Sequence, residues 1–399
     1  MPAIAQITAP APSSPFTGPH ALDAFAMAAQ KETPIVVDLA KINWPDGFAP
    51  TPKPFTDHPA GSVISGPLTE KADVLVLLYT TYEIRALLDV FTNNAAWTPD
   101  RKKTWYGYAH NFDEYKPIIE GINEDIGLRD GLFGYLFPLM IGNKRVVLYK
   151  TELHPKTNGN KLPFVPVIRQ LVSELQPSLV ISTGTAGAIG SHLQCGDVVI
   201  TNSARLHCKT HYPTFPDINT LSNNNTELKS AAAVQGQYVK YAAQNFTQLS
   251  LPGLQKCYNE IGTRAEYKFL KKNTAAPSIY VKGSTPVAGG QPMDIVSADY
   301  LTVDDNNDSE GLQALGSMND TDDAFAFYAI NTIGGAKPGW LSIRNASEPQ
   351  VNVPKFPAGT SPTQIVDKLK SLAGAIYGVY QYCTTLNSAF ACWGVIAGM

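Results

Sequence analysis

The chain has 399 residues, of which 44% are hydrophobic and 16% are charged, and its formal net charge is −3. A chain of this length can build one large domain or two ordinary ones around a substantial core. The charge gives no bulk reason to expect binding to nucleic acid or to an anionic membrane.

The first 70 residues are rich in proline and turn residues, and PIVVDLA at 34–40 is their one short strand signal. The first 20 residues lack the basic and apolar regions of a secretory signal. Five scattered cysteines without a CxxC pair favour a reducing compartment. These features predict a cytoplasmic protein whose residues 1–70 form an extension packed on the surface of a domain at 71–399.

Strand and helix patterns alternate from residue 71 onward. ADVLVLLYT at 72–80 predicts a strand buried on both faces, and YEIRALLDVF follows it with helical spacing. RVVLYKT and SLVISTG predict two more strands, with the helix FVPVIRQLVSEL between them. DTDDAFAFYAINTIG predicts a helix that ends at its glycines, GWLSIRNAS a strand, and the segment from Ser361 a capped helix. The alternation predicts a single three-layer α/β/α sandwich with a mostly parallel, mixed central sheet, interrupted by a polar insertion at about 205–285.

The run from Ser371 to Met399 carries no charge and is long enough to cross a membrane. Polar residues interrupt it, and no basic flank follows it. We therefore expect a buried amphipathic helix and no membrane association.

Glycines recur at every third position of the turn predicted for Thr183–Gly190. This spacing differs from the dinucleotide-binding GxGxxG, and no Gly-Lys-Ser/Thr of a phosphate loop follows. The glycines either line a small-molecule site or only let the chain bend.

The segment STGTAGAIGSHLQCGDVVI resembles the signature of the purine nucleoside phosphorylase and nucleosidase superfamily, which includes methylthioadenosine/S-adenosylhomocysteine nucleosidase. Four other segments, VLLYTTYEIRAL, VSADYL, DTDDAF and SIRNASE, follow the order of that family. The resemblance extends from about Ala72 to the C-terminus. It implies a nucleoside phosphorylase-like fold, a small-molecule purine nucleoside as ligand, a homo-oligomer (dimer or hexamer), and neither metal nor cofactor.

The resemblance also assigns catalytic roles. Glu348 matches the general acid that protonates the leaving purine, and Ser347 would orient it. Glu83 matches the carboxylate that activates water. The alternatives are a solvated glutamate at a strand end for Glu348 and an ordinary carboxylate at a helix start for Glu83.

The matched binding positions surround the ribose and the base. The resemblance implies that the glycine segment lines the nucleophile side of the ribose and that the acidic helix start holds the ribose hydroxyls. It also implies that two positions flank the purine, where an aromatic ring stacks on the base. The residues on the nucleophile side of the ribose are Thr183, Gly184, Thr185 and Ala186. Those that flank the purine are Tyr300 and Leu301, and those at the ribose hydroxyls are Thr321 and Asp322. Tyr300 could instead be a core tyrosine, and Asp322 part of an acidic helix start. Glu348 replaces the usual Asp, Asp322 replaces Glu, and Thr321 replaces Met.

The position of Ser182 separates two reactions. In the phosphorylases it carries an arginine that binds phosphate, which a serine cannot replace. We therefore expect hydrolysis of the N-glycosidic bond of a purine nucleoside or a 5′-substituted purine nucleoside. Phosphorolysis is the alternative if another residue such as Arg85 binds phosphate, and a nucleoside-binding module without turnover is the other.

Two further motifs resemble parts of metal sites. His207, Cys208 and His211 are close in sequence, and Asp304–Gly311 has some likeness to a calcium loop. The first group lacks a neighbouring ligand cluster, and the second lacks helical flanks. We expect no metal site.

Overall fold

The computed structural model describes residues 39, 41–97, 104–119, 130–155, 163–208, 226–229, 277–300, 302–351 and 361–399. The strand predicted at 34–40, apart from residue 39, lies outside the described residues. So do most of the predicted insertion, Leu301 and His211.

The described residues form one mixed sheet of 14 strands, with helices on both faces. The strands are β1 Thr51–Pro52, β2 Val63–Ile64, β3 Val74–Leu78, β4 Tyr106–Tyr108, β5 Gly134–Ile141, β6 Lys144–Thr151, β7 Leu179–Ala188, β8 Val198–Thr201, β9 Ser203–His207, β10 Thr226–Lys229, β11 Ile279–Val281, β12 Ile295–Ala298, β13 Met318–Asp320 and β14 Gly339–Glu348. The α-helices are α1 Thr81–Phe91, α2 Phe112–Ile119, α3 Phe164–Leu175, α4 Asp323–Asn331 and α5 Pro362–Ala397.

Strand β7 is the centre of the sheet. It lies parallel to β3 and to β14, and it pairs antiparallel with β13 near its carboxyl end. Its pairing with β3 stops at Ser182, and its pairing with β13 begins at Gly187. The same edge of β7 therefore changes partner. We call the unpaired stretch of this edge between Ser182 and Gly187, where α1 begins, the opening. Ligands of α/β proteins bind at such points of changing strand connection.

Alternation along the strands divides the core into two layers. Val74, Val76 and Leu78 pack in one cluster with residues of α1 and α5, and Leu75 and Leu77 pack in a second cluster with residues of α2, α3 and α4. We call these sides the α5 face and the α3 face. Both faces are covered because a mostly apolar strand cannot leave either side in water. The predicted three-layer sandwich is confirmed.

The predicted N-terminal extension takes part in the sheet where it is described. β1 pairs with β5, and β2 pairs with β4. Trp44 packs against Trp393 of α5 at a ring distance of 5.0 Å and donates to the Asn93 carbonyl at 3.0 Å. The described ends of the predicted insertion also add strands, because β10 pairs with β9 and β11 pairs with β8. The boundaries at residues 70, 205 and 285 stay predictions.

Helix α5 explains the apolar C-terminal run. A capping box at Ser361 and Gln364 begins it. Its buried polar side chains find partners inside the protein: Asn387 donates to the Gly196 carbonyl at 2.7 Å, and Ser388 donates to Asn345 at 2.7 Å. No helix among the described residues has the length and apolarity to cross a membrane.

The glycine segment is a strand where the sequence predicts a turn. β7 continues through Ala188, and the irregular backbone begins only at Ile189. The prediction was wrong because β14 and β13 supply pairing partners along this stretch. Tertiary hydrogen bonding thus outweighs the weak strand preference of glycine.

The cysteines do not all follow the expectation of a reducing compartment. Cys195, Cys208 and Cys392 carry free thiols, but Cys383 is disulfide-bonded. Disulfides are rare in cytosolic proteins. The cytoplasmic location stays a prediction.

Candidate active site

Glu83 lies at the opening beside β7 and is 1% exposed. One carboxylate oxygen, Oε2, accepts from the backbone N–H groups of Tyr79 at 3.0 Å and Thr80 at 2.7 Å. The other, Oε1, accepts from the N–H and the hydroxyl of Thr185, both at 2.8 Å. The bond from Thr80 N belongs to a capping box that begins α1. The second pair ties α1 to the glycine-containing strand, so Glu83 fixes the two sides of the opening together.

Gly184 is the residue that lets this carboxylate approach β7. Its φ is +136°, and a Cβ built there would overlap the Glu83 carboxyl group. A side chain at this position would be strained and would displace Glu83. This is a close approach that only glycine permits.

Below the opening, a buried arginine gathers the acidic residues that flank the predicted ribose site. Arg344 of β14 forms a two-pronged contact with Asp323, lies 2.9 Å from Asp320 Oδ2, and donates to the Thr185 carbonyl at 3.0 Å. Ser342 also donates to Asp323, at 2.5 Å. We call Asp320, Asp323, Ser342 and Arg344 the arginine cluster. Its guanidinium is 3.7 Å from Glu83 Oε1, so it adjoins the first site without replacing any of the neutral donors there.

Burial and charge act in opposite directions in the arginine cluster. Burial disfavours the charged form of Arg344, but Asp323, Asp320 and Glu83 outweigh it, so the pKa of Arg344 is raised well above its ordinary value. Burial and the nearby charge of Asp323 raise the pKa of Asp320 well above its usual range, although Arg344 pulls it down. The cluster thus keeps its arginine charged in an apolar setting.

Glu348 ends β14 opposite Gly187 of β7, after an irregularity in the register. Ser347 Oγ lies 3.2 Å from the Ala186 carbonyl oxygen and within hydrogen-bond distance of Glu348 Oε2. A serine hydroxyl has one proton, and a backbone carbonyl can only accept. Ser347 therefore donates to one of these two oxygens at a time, and it links the carboxyl ends of β7 and β14.

Partial exposure marks where the interior opens. Thr185 is the one residue of β7 that is not buried, and Glu348 is the partly exposed residue at the carboxyl end of β14. Tyr377 is the partly exposed position in the described run 376–380 of α5. Its hydroxyl lies near Thr80 and Thr185. Burial first, and then the charges of Glu83 and Glu348, raise the pKa of Tyr377. Three separate elements thus meet at one opening.

The other predicted contacts to ribose are engaged within the protein. Thr183 is fully buried and donates to the Ile343 carbonyl at 2.8 Å, and Ala186 packs into the core of the α3 face. Thr321 donates to Asp322 Oδ2 at 2.9 Å. Asp322 stands at the N-cap position of α4 without a side-chain capping bond. Thr321 is the partly exposed residue of this pair.

The predicted base-flanking residue Tyr300 follows β12. Its hydroxyl donates to Glu310 at 2.9 Å, its ring centre lies 6.1 Å from that of His207, and the Lys370 ammonium of α5 is 5.9 Å from the ring centre. The ring is partly exposed, so it is not a core tyrosine. Leu301, its predicted companion, lies outside the described residues.

Ser182 lies in the core. It is 0% exposed, 3.2 Å from the Tyr79 hydroxyl and 3.4 Å from the Trp340 indole nitrogen. Arg85, the alternative phosphate ligand, is exposed and has its guanidinium 5.4 Å from the centre of the Tyr382 ring, while Glu83, two positions earlier on the helix, is buried. Neither position contacts the opening through its side chain.

The sequence left three contributors to this region without a role: Asp323, Arg344 and Tyr377. An arginine in the apolar run LSIRNAS was a usable signal, because a buried guanidinium needs carboxylate partners. Tyr377 carried no such signal, since an aromatic residue in an apolar helix is ordinary packing.

No group of His, Cys, Asp and Glu among the described residues is arranged to hold a metal ion. The acidic loop Asp304–Gly311 instead bonds to neighbouring segments of the protein. Asp304 accepts from Gly190 N at 2.8 Å and from Gln350 at 2.8 Å. A surface depression of about 460 Å³ beside Phe112 and Leu132 contains none of the predicted site residues.

The chain is similar to known proteins in sequence and in structure. Residues 127–257 match the model of the Phosphorylase superfamily. The predicted superfamily resemblance is confirmed. The matched residues include β7, the strand that positions Thr185 against Glu83. No curated relative matches the sequence.

Solved structures with a similar chain trace include three bacterial hydrolases. A mutant methylthioadenosine nucleosidase of Helicobacter pylori with 5′-methylthioadenosine in its active site is 13% identical, with a TM-score of 0.42, 82% of this chain and 99% of that chain covered. Futalosine hydrolase of the same organism is 11% identical, with a TM-score of 0.43 and coverages of 83% and 99%. An S-adenosylhomocysteine nucleosidase of Streptococcus pyogenes, in complex with 5-methylthiotubericidin, is 12% identical, with a TM-score of 0.44 and coverages of 82% and 98%.

Proposed function

We propose that this protein hydrolyses the N-glycosidic bond of a purine nucleoside or a 5′-substituted purine nucleoside. The observation that carries the proposal is the contact between Glu83 and Thr185. The N–H and hydroxyl of Thr185 both donate to a carboxylate. A phosphate dianion at this place would lose those donors and face the negative charge of Glu83. A neutral water molecule meets neither obstacle.

Among the described residues, the arginines near the opening do not offset these two obstacles to phosphate binding. Arg344 is already surrounded by Asp323, Asp320 and Glu83. Arg85 lies over Tyr382 on the far side of α1. Phosphate binding in a buried site needs a charge-assisted partner. The described arrangement supports water as the nucleophile.

Glu348 is the proposed acid. Ser347 lies within hydrogen-bond distance of the Glu348 carboxyl group and can orient it, the role that the resemblance implies for the partner of a general acid. Cys195, whose thiol donates to the Ser347 carbonyl at 3.4 Å, packs behind it. Glu348 itself is partly exposed at the carboxyl end of β14.

The reaction then proceeds by transfer of two protons. Glu348 gives its proton to N7 of the purine as the bond between C1′ and the base nitrogen breaks and its electron pair goes to the base. Water adds to C1′ of the oxocarbenium-like ribose and gives a proton to Glu83. The products are the free base and the free ribose or its 5′-substituted form. Tyr300 beside the base, and Thr321 with Asp322 beside the ribose, remain the proposed binding residues.

The deciding experiment measures base release from a panel of purine nucleosides in phosphate-free buffer and in phosphate buffer. Hydrolysis predicts equal rates and free ribose in both. A requirement for phosphate, with formation of ribose 1-phosphate, would replace hydrolysis by phosphorolysis.

The acid is tested by two variants. Glu348→Gln should keep nucleoside binding and lose turnover, because the amide cannot transfer a proton. Glu348→Asp should also lose activity, because the shorter side chain stops about one bond length short of the base. Normal turnover by Glu348→Gln would remove Glu348 from the mechanism.

One observation favours the second candidate, a nucleoside-binding module. Tyr79, Thr80 and Thr185 together supply four donors to Glu83, a complete set for a purely structural carboxylate. Calorimetric binding of a nucleoside without any release of base would establish this candidate. A homo-oligomer is proposed with either function, and light scattering of the purified protein tests it.

A further inference from the structure

Strand β13 carries a buried asparagine, Asn319, at the end of the opening. Asn319 pairs directly with Gly187 of β7, and Gly187 pairs on its other side with Glu348 of β14. Neighbouring strands of a sheet lie about 4.8 Å apart, so the Cα atoms of Glu348 and Asn319 are about 10 Å apart. The residue between them has no side chain, which leaves the space above Gly187 to groups from either side.

The side-chain amide of Asn319 has a fixed orientation. Its nitrogen, Nδ2, donates to the Thr302 carbonyl at 3.0 Å, and the amide oxygen could not make that bond. Its oxygen, Oδ1, lies over Gly187, because a Cβ built on that glycine would be 2.5 Å from it. The amide therefore directs its oxygen across β7, toward the side of the strand on which Glu348 lies.

This amide oxygen is a buried acceptor in need of a donor. Asn319 is 5% exposed, and no described residue donates to Oδ1. The hydroxyl of Thr302, two positions after the proposed base-flanking residue Tyr300, is likewise buried without a partner among the described residues. Buried polar groups of native proteins almost always have a partner, because an unpaired one costs free energy. Since Oδ1 can only accept, the group that satisfies it carries an N–H or O–H.

We propose that Asn319 is a specificity-determining residue that accepts a hydrogen bond from an amino group at C6 of the purine. This inference rests on the proposed function, in which Glu348 protonates N7. N7 and the C6 substituent lie on the same edge of a purine. A base that presents N7 to Glu348 therefore presents its C6 substituent toward Gly187 and Asn319. A 6-aminopurine offers an N–H at that place.

A 6-oxopurine does not fit the same arrangement. Its O6 only accepts, so O6 and Oδ1 would face each other without a proton between them. Rotation of the amide by half a turn would offer Nδ2 to O6, but it would place Oδ1 against the Thr302 carbonyl, which is again a pair of acceptors. A site built around a hydrogen bond rejects an analogue that cannot form it. Asn319 thus narrows the proposed substrates to 6-aminopurine nucleosides.

The test compares kcat/KM for three nucleosides with the same 5′ group and with adenine, hypoxanthine or unsubstituted purine as the base. The unaltered protein should prefer the adenine nucleoside to the hypoxanthine nucleoside by about 10²-fold or more. Asn319→Leu removes the amide at similar volume. It should reduce this preference by at least about 10-fold and bring the adenine nucleoside toward the level of the unsubstituted one.

The matched control is Asn387→Leu. Asn387 is also a buried asparagine that donates to a backbone carbonyl, that of Gly196 at 2.7 Å, and its loss should leave the preference among the three bases as it is. Melting temperatures show that both variants are folded. An unchanged preference in Asn319→Leu, or a preference of the unaltered protein for the hypoxanthine nucleoside, would overturn the proposal.

Free bases separate this inference from the proposed hydrolysis, because calorimetry of their binding needs no turnover and, for the unaltered protein, no variant. Adenine should bind at least about 10-fold more tightly than hypoxanthine or purine. If this holds but no nucleoside is cleaved, hydrolysis fails and the role of Asn319 stands. If nucleosides are cleaved but the three bases bind equally well, hydrolysis stands and the role of Asn319 is refuted.

Discussion

Two groups of carboxylates lie within a few ångströms of each other at the centre of the sheet, and they are stabilised in different ways. Glu83 is held by backbone N–H groups and a threonine hydroxyl, with a guanidinium 3.7 Å away. Asp320 and Asp323 are held by direct contact with Arg344. A carboxylate held mainly by neutral donors is not in direct contact with an opposite charge. One paired with a buried guanidinium is committed to structure, because either partner alone would be an uncompensated charge.

The comparison predicts that the arginine cluster matters most for folding. Arg344→Leu removes the cation and leaves Asp320 and Asp323 buried side by side. Breaking a buried ion pair in this way costs about 3–5 kcal/mol of the free energy of unfolding. Denaturant unfolding measures it. Arg85→Leu is the control, since that guanidinium is exposed over Tyr382 and its loss should cost less than about 1 kcal/mol. Equal losses for the two variants would contradict the assigned role of the arginine cluster.

The next largest effect is expected on kcat, at Glu83. Glu83→Gln should lower kcat by about 10²-fold, the usual scale for loss of a general base, with nucleoside affinity nearly kept. Its amide NH2 also faces N–H donors on either side, so some loss of stability accompanies the change. Asp89→Asn, on the same helix but bonded to Tyr382, is the control for kcat. Unchanged turnover in Glu83→Gln would return Glu83 to the role of a helix-start carboxylate.

Features that depend on local pattern were predictable, and those that depend on tertiary partners were not. The periodicity of FVPVIRQLVSEL predicted a helix, and α3 spans the same residues, Phe164–Leu175. The glycines after Ser182 predicted a turn, but pairing with β14 and β13 extends the strand.

The same limit applies to the site. Glu83, Thr185 and Glu348 were predicted through the family resemblance, and the structure brings Glu83 and Thr185 into direct contact. The pairing of Arg344 with Asp323 joins residues 21 positions apart on different elements. Topology alone decides that contact, so no local pattern could have given it.

The third prediction tests whether the position of Glu83 depends on the missing side chain of Gly184. Gly184→Ala should destabilise by about 1–3 kcal/mol, the range for a strained backbone, and should also lower kcat, because the new Cβ displaces the carboxylate. Gly283→Ala is the matched control. Its φ is also positive, at +86°, but a Cβ there would meet nothing within 4 Å.

Strain alone would lower the stability of both glycine variants and leave both rates intact. A selective loss of kcat in Gly184→Ala assigns the effect to displacement of Glu83. Thermal unfolding and base release, measured on both variants, distinguish the two outcomes.

The smallest effect on kcat is expected at Ser182. A serine at this position, where the phosphorylases have an arginine, is what favoured hydrolysis in the sequence. Its hydroxyl lies 3.2 Å from that of Tyr79 and 3.4 Å from the Trp340 nitrogen, both long for hydrogen bonds, in a fully buried place. Ser182→Ala should therefore cost about 1 kcal/mol of stability and change kcat by less than about 2-fold. The matched comparison is Thr185→Val, which removes a hydroxyl bonded to Glu83 at 2.8 Å on the same strand and should reduce kcat more strongly. If Ser182→Ala loses turnover while Thr185→Val keeps it, the opening at Glu83 is not where the nucleophile is held.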